Sequence, residues 1–170
     1  MKQTRIVLIG FRGAGKTSLA RRLGKKLDWQ LFSTDRMIAD AVGMPIAKYV
    51  AQNGWEDFRG VERKVIASLP LDVHGVIDCG GGVIENKANM FLLRQNSLIV
   101  WVDADIETIF HRLSRSADRP LLSQPDLSRD IEENYRRRQP LYEKYSDMRV
   151  DASTNDADTL CQMVIEAKRD

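Results

Sequence analysis

Cysteine is scarce in this chain, which carries two, Cys79 and Cys161, among its 170 residues. Two cysteines so far apart in sequence cannot build a disulfide framework, and they lack the ligand spacing of a zinc site. We therefore expect both to be ordinary buried or half-buried thiols of a protein in a reducing compartment.

Long apolar runs are also absent. The sequence has no apolar stretch of about eighteen residues or more, the length that would span a membrane. It begins Met1-Lys2-Gln3-Thr4-Arg5 and continues with a short apolar run, without the longer apolar region of a signal peptide. These absences predict a soluble, cytoplasmic protein that does not associate with membranes.

A strong charge of one sign is missing as well. The net charge is +2, from 26 basic and 24 acidic residues, so the imbalance expected of a dedicated duplex-binding protein is absent. Acidic residues interleave the basic ones, and no aromatic platform for stacking bases is visible. We expect no nucleic-acid partner and a single domain spanning residues 1–170, long enough to bury a real core.

Short apolar runs alternate with amphipathic helical stretches from end to end, a pattern typical of a parallel sheet covered on both faces by helices. Five strands are predicted, at 6–10, 30–34, 75–79, 97–102 and 148–150. Helices are predicted near 16–27, 35–42, 46–53, 55–69, 86–95, 105–114, 128–144 and 156–168. The predicted fold class is therefore a three-layer α/β domain with a five-stranded parallel sheet.

A glycine-rich loop follows the first predicted strand, where residues 10–17 read G-F-R-G-A-G-K-T and match G-x-x-x-x-G-K-T. Such a loop surrounds a polyphosphate with backbone N–H groups at the start of a helix, and its glycines permit the close approach. Lys16 would reach the β- and γ-phosphates, and the Thr17 hydroxyl would ligate Mg²⁺. The alternative is a glycine turn before an ordinary helix. The predicted nucleotide-binding residues here are Gly13, Ala14, Gly15, Lys16, Thr17 and Ser18.

Polar residues follow two other predicted strands, where the carboxyl ends of a parallel sheet line the ligand crevice. Asp35 comes just after the second strand, as a helix N-cap or as a group that holds an acceptor hydroxyl. Gly80, Gly81 and Gly82 follow the third strand and offer bare backbone to an acceptor, since a structural turn seldom needs three glycines.

Arginines supply the remaining candidate chemistry. Arg59 lies three residues before Glu62 on one helical face, which also fits an exposed ion pair. Arg119 lies in a polar segment at 114–127, which is either a solvated loop or an active-site lid. The arginine run at 136–138 resembles a solvated face, but one guanidinium turned inward would suit a carboxylate or phosphate.

Taken together, these landmarks make the chain resemble the shikimate kinase family over nearly its whole length. They occur in the family's order: the phosphate loop, the aspartate after strand two, F-R-x-x-E at 58–62, G-G-G at 80–82, R-P-L at 119–121 and R-x-P-L-Y at 138–142. The resemblance implies a P-loop kinase fold with an acceptor-binding helical insertion at about 35–60 and a lid at about 114–127. It also implies transfer of a phosphoryl group from ATP to the 3-hydroxyl of shikimate, by a monomer.

The resemblance also implies roles for individual residues. Asp35 would act as base or orienting group, and Arg59 and Arg138 would hold the substrate carboxylate. Gly81 and Gly82 would line the same pocket. Arg119 would reach from the lid toward the transferring phosphoryl group, and Arg112 would pack near the adenine. The catalytic residues implied are Lys16, Asp35 and Arg119.

One position departs from the family pattern. The family commonly has Asp-x-Asp after strand two, whereas this chain has Ser33-Thr34-Asp35. The serine removes a negative charge from the outer shell of Mg²⁺, so we expect weaker or rearranged metal binding with Thr17 retained. Asp78, at the end of strand three, is a candidate to compensate.

Other functions remain open at this point. Gluconate and nucleoside monophosphate kinases share the phosphate loop and a lid, and they too bind anionic acceptors. A degenerate ATP-binding regulator would also retain the loop, and Ser33 favours that alternative. The retention of Lys16, Thr17, Asp35 and Arg119 opposes it, because a nucleotide sensor needs neither an acceptor-side aspartate nor a lid arginine.

Overall fold

The computed structural model describes residues 3–70, 72–115 and 126–168. Its sheet contains five parallel strands in the order β2-β3-β1-β4-β5, which confirms the predicted α/β class. The strands are β1 Arg5–Ile9, β2 Gln30–Ser33, β3 Gly75–Asp78, β4 Ser97–Asp103 and β5 Met148–Asp151. The helices are α1 Lys16–Leu27, α2 Thr34–Val42, α3 Ile46–Ala67, α4 Lys87–Leu93, α5 Ile106–Ser114, α6 Leu127–Tyr145 and α7 Ala157–Ala167.

The central strands β1 and β4 are buried along their whole length. Because successive side chains of a strand point to opposite faces, this burial means that both faces of the sheet are covered. The edge strand β2 is partly exposed. Leu8 of β1 and Ser33 of β2 both pair with Asp78 of β3, so these three strands end level with one another. The polar segments that follow them therefore meet at one edge of the sheet.

The predicted insertion consists of α2 and the first part of α3. Gly43 ends α2 in a left-handed conformation with φ 71°, and its N–H donates to the carbonyl of Ala39. Gly54, with φ 82° and ψ 170°, breaks α3 where the sequence predicted two separate helices. A small hydrophobic cluster of its own, separate from the main core, holds this part together through Ile38, Val50, Phe58 and Val65.

Some boundaries differ from the prediction. The helix expected at 86–95 is shorter by one residue at its start, where the Asn86 side chain caps α4 by accepting from the N–H groups of Ala88 and Asn89, and by two residues at its end. A 3-10 turn at Val83–Glu85, which was not predicted, precedes it. The predicted lid at 114–127 lies mostly outside the described residues. In the part of the chain that the structure describes, no helix combines the length and apolar character needed to cross a membrane.

Candidate active site

A cavity of about 400 Å³ opens at the carboxyl ends of the strands, between the phosphate loop, the start of α2 and the glycine turn after β3. Its lining includes six of the residues predicted to bind nucleotide but only two of those predicted to bind the acceptor, Asp35 and Gly81. The residues that line it are Gly13, Gly15, Lys16, Thr17, Ser18, Ser33, Asp35, Asp78, Cys79, Gly80, Gly81 and Arg112. The structure thus brings Asp35 to the phosphate loop, as the sequence predicted.

The phosphate loop has the backbone that its glycines permit. Gly13 and Gly15 lie in the left-handed region, with φ 79° and 103°, where a residue with a side chain would be strained. Gly10 lies so close to β4 that a Cβ there would be 2.1 Å from the Val102 carbonyl oxygen. The buried Lys16 ammonium donates to the carbonyls of Gly10 and Phe11 at 2.8 and 3.0 Å. Its charge is therefore held inside the loop.

Thr17 and Asp78 meet in the same cavity. The Thr17 hydroxyl donates to Oδ2 of Asp78 at 2.6 Å. Ser33 also lines the cavity, but its Oγ accepts a hydrogen bond from the backbone N–H of Arg36 and caps α2. The alternative in which Asp35 is the N-cap is therefore wrong. Asp35 lies within the first turn of α2, where a carboxylate is favoured by the helix dipole.

Each of the three glycines after β3 allows a different close approach. A Cβ at Gly80 would lie 2.8 Å from Oδ1 of Asp35, and a Cβ at Gly81 would lie 3.1 Å from the backbone nitrogen of Arg12. A Cβ at Gly82 would lie 2.0 Å from Nη2 of Arg59. The glycine turn therefore contacts the acceptor aspartate, the phosphate loop and an arginine through bare backbone. Tyr142 fixes the turn by donating its hydroxyl hydrogen to the Gly81 carbonyl at 2.5 Å.

Arg59 and Arg138 line a second cavity of about 320 Å³ between α3 and α6, next to the first. The Arg138 side chain is 3 % exposed, whereas those of Arg136 and Arg137 are 73 % and 54 % exposed. One guanidinium of the run therefore turns inward, as predicted. Arg59 packs over Trp55 and Phe58, with its Cζ 5.7 and 5.2 Å from the two ring centroids.

The Arg59–Glu62 pair is not the exposed ion pair that its spacing also allowed. Arg59 Nη1 donates to both carboxylate oxygens of Glu62 at 2.9 Å, and the Glu62 side chain is 1 % exposed. Burial raises the pKa of Glu62 above its ordinary value, and the nearby Arg59 guanidinium only partly offsets this effect. Glu62 also lies near the glycine turn, since a Cβ at Gly80 would be 3.5 Å from its Oε2.

Two charged residues next to the cavities were not predicted from the sequence. Glu85, at the end of the 3-10 turn, contacts Arg59, Arg137 and Arg138. The second is Arg12 in the phosphate loop, which forms a buried ion pair with Asp130 of α6. A lone charge directly after two apolar residues was the only local signal for Glu85. Asp130, with which Arg12 pairs, lies 118 positions away, so no local pattern could have indicated that pair.

Of the two remaining predicted arginines, the structure describes Arg112 but not Arg119. Arg112 contacts the outside of the phosphate loop, where Nη1 donates to the carbonyls of Gly13 and Ala14 at 3.1 and 2.9 Å. Its Nη2 donates to the Ala152 carbonyl at 3.0 Å, which ties the loop to the segment after β5. This position borders the cavity and is compatible with the predicted nucleotide contact. Arg119 lies outside the described residues.

Both cysteines are buried free thiols, as the sequence predicted. Cys79 lies in the wall of the main cavity. Burial, reinforced by the nearby Asp78 carboxylate, raises the pKa of Cys79 well above its ordinary value. A neutral buried thiol is a poor nucleophile and metal ligand, so Cys79 serves packing and not chemistry.

Comparisons with known proteins agree with this geometry. The family model for shikimate kinase matches residues 12–169. A shikimate kinase of Moorella thermoacetica is 36% identical over 162 residues, covering 95% of this chain and 92% of that protein. The solved structure of shikimate kinase from Acinetobacter baumannii in complex with shikimate has a TM-score of 0.89 at 27% identity, covering 95% of this chain and 90% of that one. The Aquifex aeolicus shikimate kinase structure has a TM-score of 0.81 at 26% identity, with 95% and 94% covered. The chain therefore belongs to the shikimate kinase family.

Proposed function

We propose that this chain transfers the γ-phosphoryl group of ATP to the 3-hydroxyl of shikimate, giving shikimate 3-phosphate and ADP. The observation that carries the proposal is the joint position of Asp35 and the phosphate loop in one cavity. Two guanidiniums, those of the partly exposed Arg59 and the buried Arg138, lie beside it, across the glycine turn. This arrangement suits an acceptor that has a hydroxyl at one end and a carboxylate at the other.

ATP would bind with its phosphates at the N-terminus of α1. The loop's backbone N–H groups and the helix dipole favour the anion there, and Lys16 would exchange its contacts with the Gly10 and Phe11 carbonyls for contacts with phosphate oxygens. Because phosphoryl transfer passes through a loose transition state, catalysis depends mainly on positioning and charge stabilisation. Arg119 is proposed to add a further positive charge from the lid.

Asp35 is proposed to hold the acceptor hydroxyl in line with the γ-phosphorus and to accept its proton. Arg59 and Arg138 would bind the carboxylate, for which the planar guanidinium fork is well suited. Nη2 of Arg138 donates to Glu85, whereas its buried Nε has no hydrogen-bond partner among the described residues. The carboxylate of a bound substrate would accept a hydrogen bond from this Nε. Gly81 and Gly82 are proposed to line the same pocket through backbone atoms, because the phosphate loop and Arg59 fill the space that their side chains would occupy.

Mg²⁺ fits the residues present. Thr17 and Asp78 supply a hydroxyl and a carboxylate oxygen at one point of the cavity, and Mg²⁺ is commonly held by few protein oxygens together with water and phosphate. The described residues contain no cluster of three or more His, Cys, Asp or Glu that could hold a metal ion. When bound, the ion would neutralise charge on the β- and γ-phosphates.

Replacing Asp78 with asparagine should raise the Mg²⁺ concentration needed for half-maximal activity by about ten-fold, a typical effect of losing a group that supports a metal. Asparagine can still accept the Thr17 hydrogen bond, so the change removes mainly charge. The same shift should appear in the Mg²⁺ dependence of ADP binding, measured by calorimetry. Ser33→Asp is the converse variant and should lower the requirement. Unchanged Mg²⁺ dependence in Asp78→Asn would exclude compensation by Asp78.

The proposed reaction is tested by coupled ADP release with MgATP and four acceptor conditions: shikimate, gluconate, a nucleoside monophosphate and none. Turnover with shikimate alone is the expected result. Turnover with one of the others would assign a different anionic acceptor. ATP binding without turnover on any of them would favour a nucleotide-binding regulator.

The assembly and location of the protein are proposed on the family resemblance. We expect a monomer in the cytoplasm, whose lid closes over the bound substrates and excludes water, so that ATP hydrolysis is suppressed. Size-exclusion chromatography with light scattering, with and without MgATP and shikimate, tests the monomer.

A further inference from the structure

We propose that Glu85 is an internal carboxylate that occupies the anion position between Arg59 and Arg138, and that an acceptor carboxylate must displace it. The inference rests on the proposed function of this arginine pair. Oε2 of Glu85 lies 3.1 Å from Nη2 of Arg138 and 3.6 Å from Nη2 of Arg59. Its other oxygen contacts Nη1 of Arg137. A single side chain thus makes the contacts that a bound carboxylate would make.

The charges in this cavity explain why displacement is required. Arg59, Arg137 and Arg138 line the cavity with three guanidiniums, and Glu85 and Glu133 line it with two carboxyl groups, while Glu62 pairs with Arg59 from outside the lining. A substrate carboxylate that entered with Glu85 in place would bring two like charges together between the same guanidiniums. Like charges placed so closely are strongly unfavourable. Glu85 must therefore leave if the acceptor is to gain the full attraction of the pair.

Glu85 can move more easily than Glu62. The Glu62 side chain is 1 % exposed and lies on the long helix α3, whereas that of Glu85 is 24 % exposed and ends a three-residue 3-10 turn. A rotamer change would carry the Glu85 carboxylate toward solvent without moving a helix. Glu62 would keep its contact with Arg59 while this happens. Glu62 is thus a positioning residue for Arg59, and Glu85 is the displaceable competitor.

Glu85 cannot vacate the site by becoming neutral. Burial alone would raise its pKa, but the Arg138 and Arg137 guanidiniums outweigh that effect, and the pKa of Glu85 is lower than its ordinary value. The side chain is therefore ionised at neutral pH and competes as a full charge. The expected consequence is specific: Glu85 weakens binding of a carboxylate acceptor but not of a neutral analogue that fills the same space.

The test compares Glu85→Gln with the parent protein, because glutamine keeps the size of the side chain and removes its charge. Calorimetry measures the dissociation constants of shikimate and of its uncharged methyl ester. Shikimate should bind about ten-fold more tightly to the variant, while binding of the ester is unchanged. Glu107→Gln, which changes an exposed glutamate on α5, is the matched control and should change neither value.

The possible outcomes separate the two proposals. Equal or weaker shikimate binding in Glu85→Gln would overturn the competitor role, since a glutamate that only orients the arginines would leave affinity equal or lower when removed. A gain for acid and ester alike would also overturn it. If shikimate binds to neither protein while MgADP binds to both, the proposed acceptor fails and the inference fails with it. Should Glu85→Gln unfold, Glu85→Ala removes the charge together with most of the side chain, and a gain for the acid that exceeds any gain for the ester then isolates the effect of charge.

Discussion

Lys16→Ala should abolish turnover while leaving the protein folded. In the structure the Lys16 ammonium lies within the phosphate loop, 2.8 and 3.0 Å from the carbonyls of Gly10 and Phe11. No other lysine lines this cavity among the described residues. Removing one preorganised donor aimed at developing charge commonly costs about 100-fold to 1000-fold in kcat, and a full positive charge next to the transferring phosphoryl group should cost at least that much.

The measurement is ADP release under saturating MgATP and shikimate, together with thermal unfolding. Lys26→Ala is the matched control, because Lys26 lies on the same helix and its ammonium contacts Gln162 at the surface. The control should retain full activity. Substantial residual turnover by Lys16→Ala, from a preparation shown to be free of other kinases, would refute the assignment of this loop to the phosphates.

The fold was largely predictable because the sheet obeys a simple rule. Strands that are buried on both faces read as continuous apolar runs, and β1 and β4 are such strands. The start of α4 was predicted to within one residue, because Asn86 is a favourable N-cap. The 3-10 turn before it was not predicted, because three residues are too few to show a periodic pattern.

The candidate site was predictable to the extent that its residues follow strands. Asp35 and the glycine turn could be placed at the crevice because β1, β2 and β3 end at the same level. The burial of Glu62 could not be foreseen, because an i,i+3 pair has the same spacing on an exposed and a buried helix face. Whether Glu62 is buried or exposed depends on its packing against the glycine turn, which is a contact between distant segments of the chain.

The contacts of Glu85 were even less predictable from the sequence than the burial of Glu62. Its significance depends on two guanidiniums from α3 and α6, which only the folded chain brings to the 3-10 turn. The sequence gives no reason to connect this glutamate with either arginine. The family resemblance therefore implied that a carboxylate would bind at Arg59 and Arg138, but not that the chain supplies a carboxylate of its own.

Asp35→Asn should lower kcat by about 100-fold, the size of effect typical of losing a positioned general base, and should leave ATP affinity unchanged. Asparagine has the shape of aspartate and so fits the tight space next to Gly80, where an added Cβ would lie 2.8 Å from Oδ1 of Asp35. It can still contact a hydroxyl, but it cannot accept its proton or carry the negative charge. Steady-state kinetics and calorimetric binding of ATP separate the two effects.

Asp40→Asn is the matched control for Asp35→Asn, because Asp40 lies on the same helix α2 with its side chain 75 % exposed. That variant should behave like the parent protein. An unchanged kcat in Asp35→Asn would reduce Asp35 to a structural residue of the first turn of α2. A fall in shikimate affinity at constant kcat would give it a binding role alone. The expected pattern, a lower kcat with ATP binding intact, follows from the proposed arrangement, in which Asp35 contacts the acceptor and the phosphates bind at the N-terminus of α1.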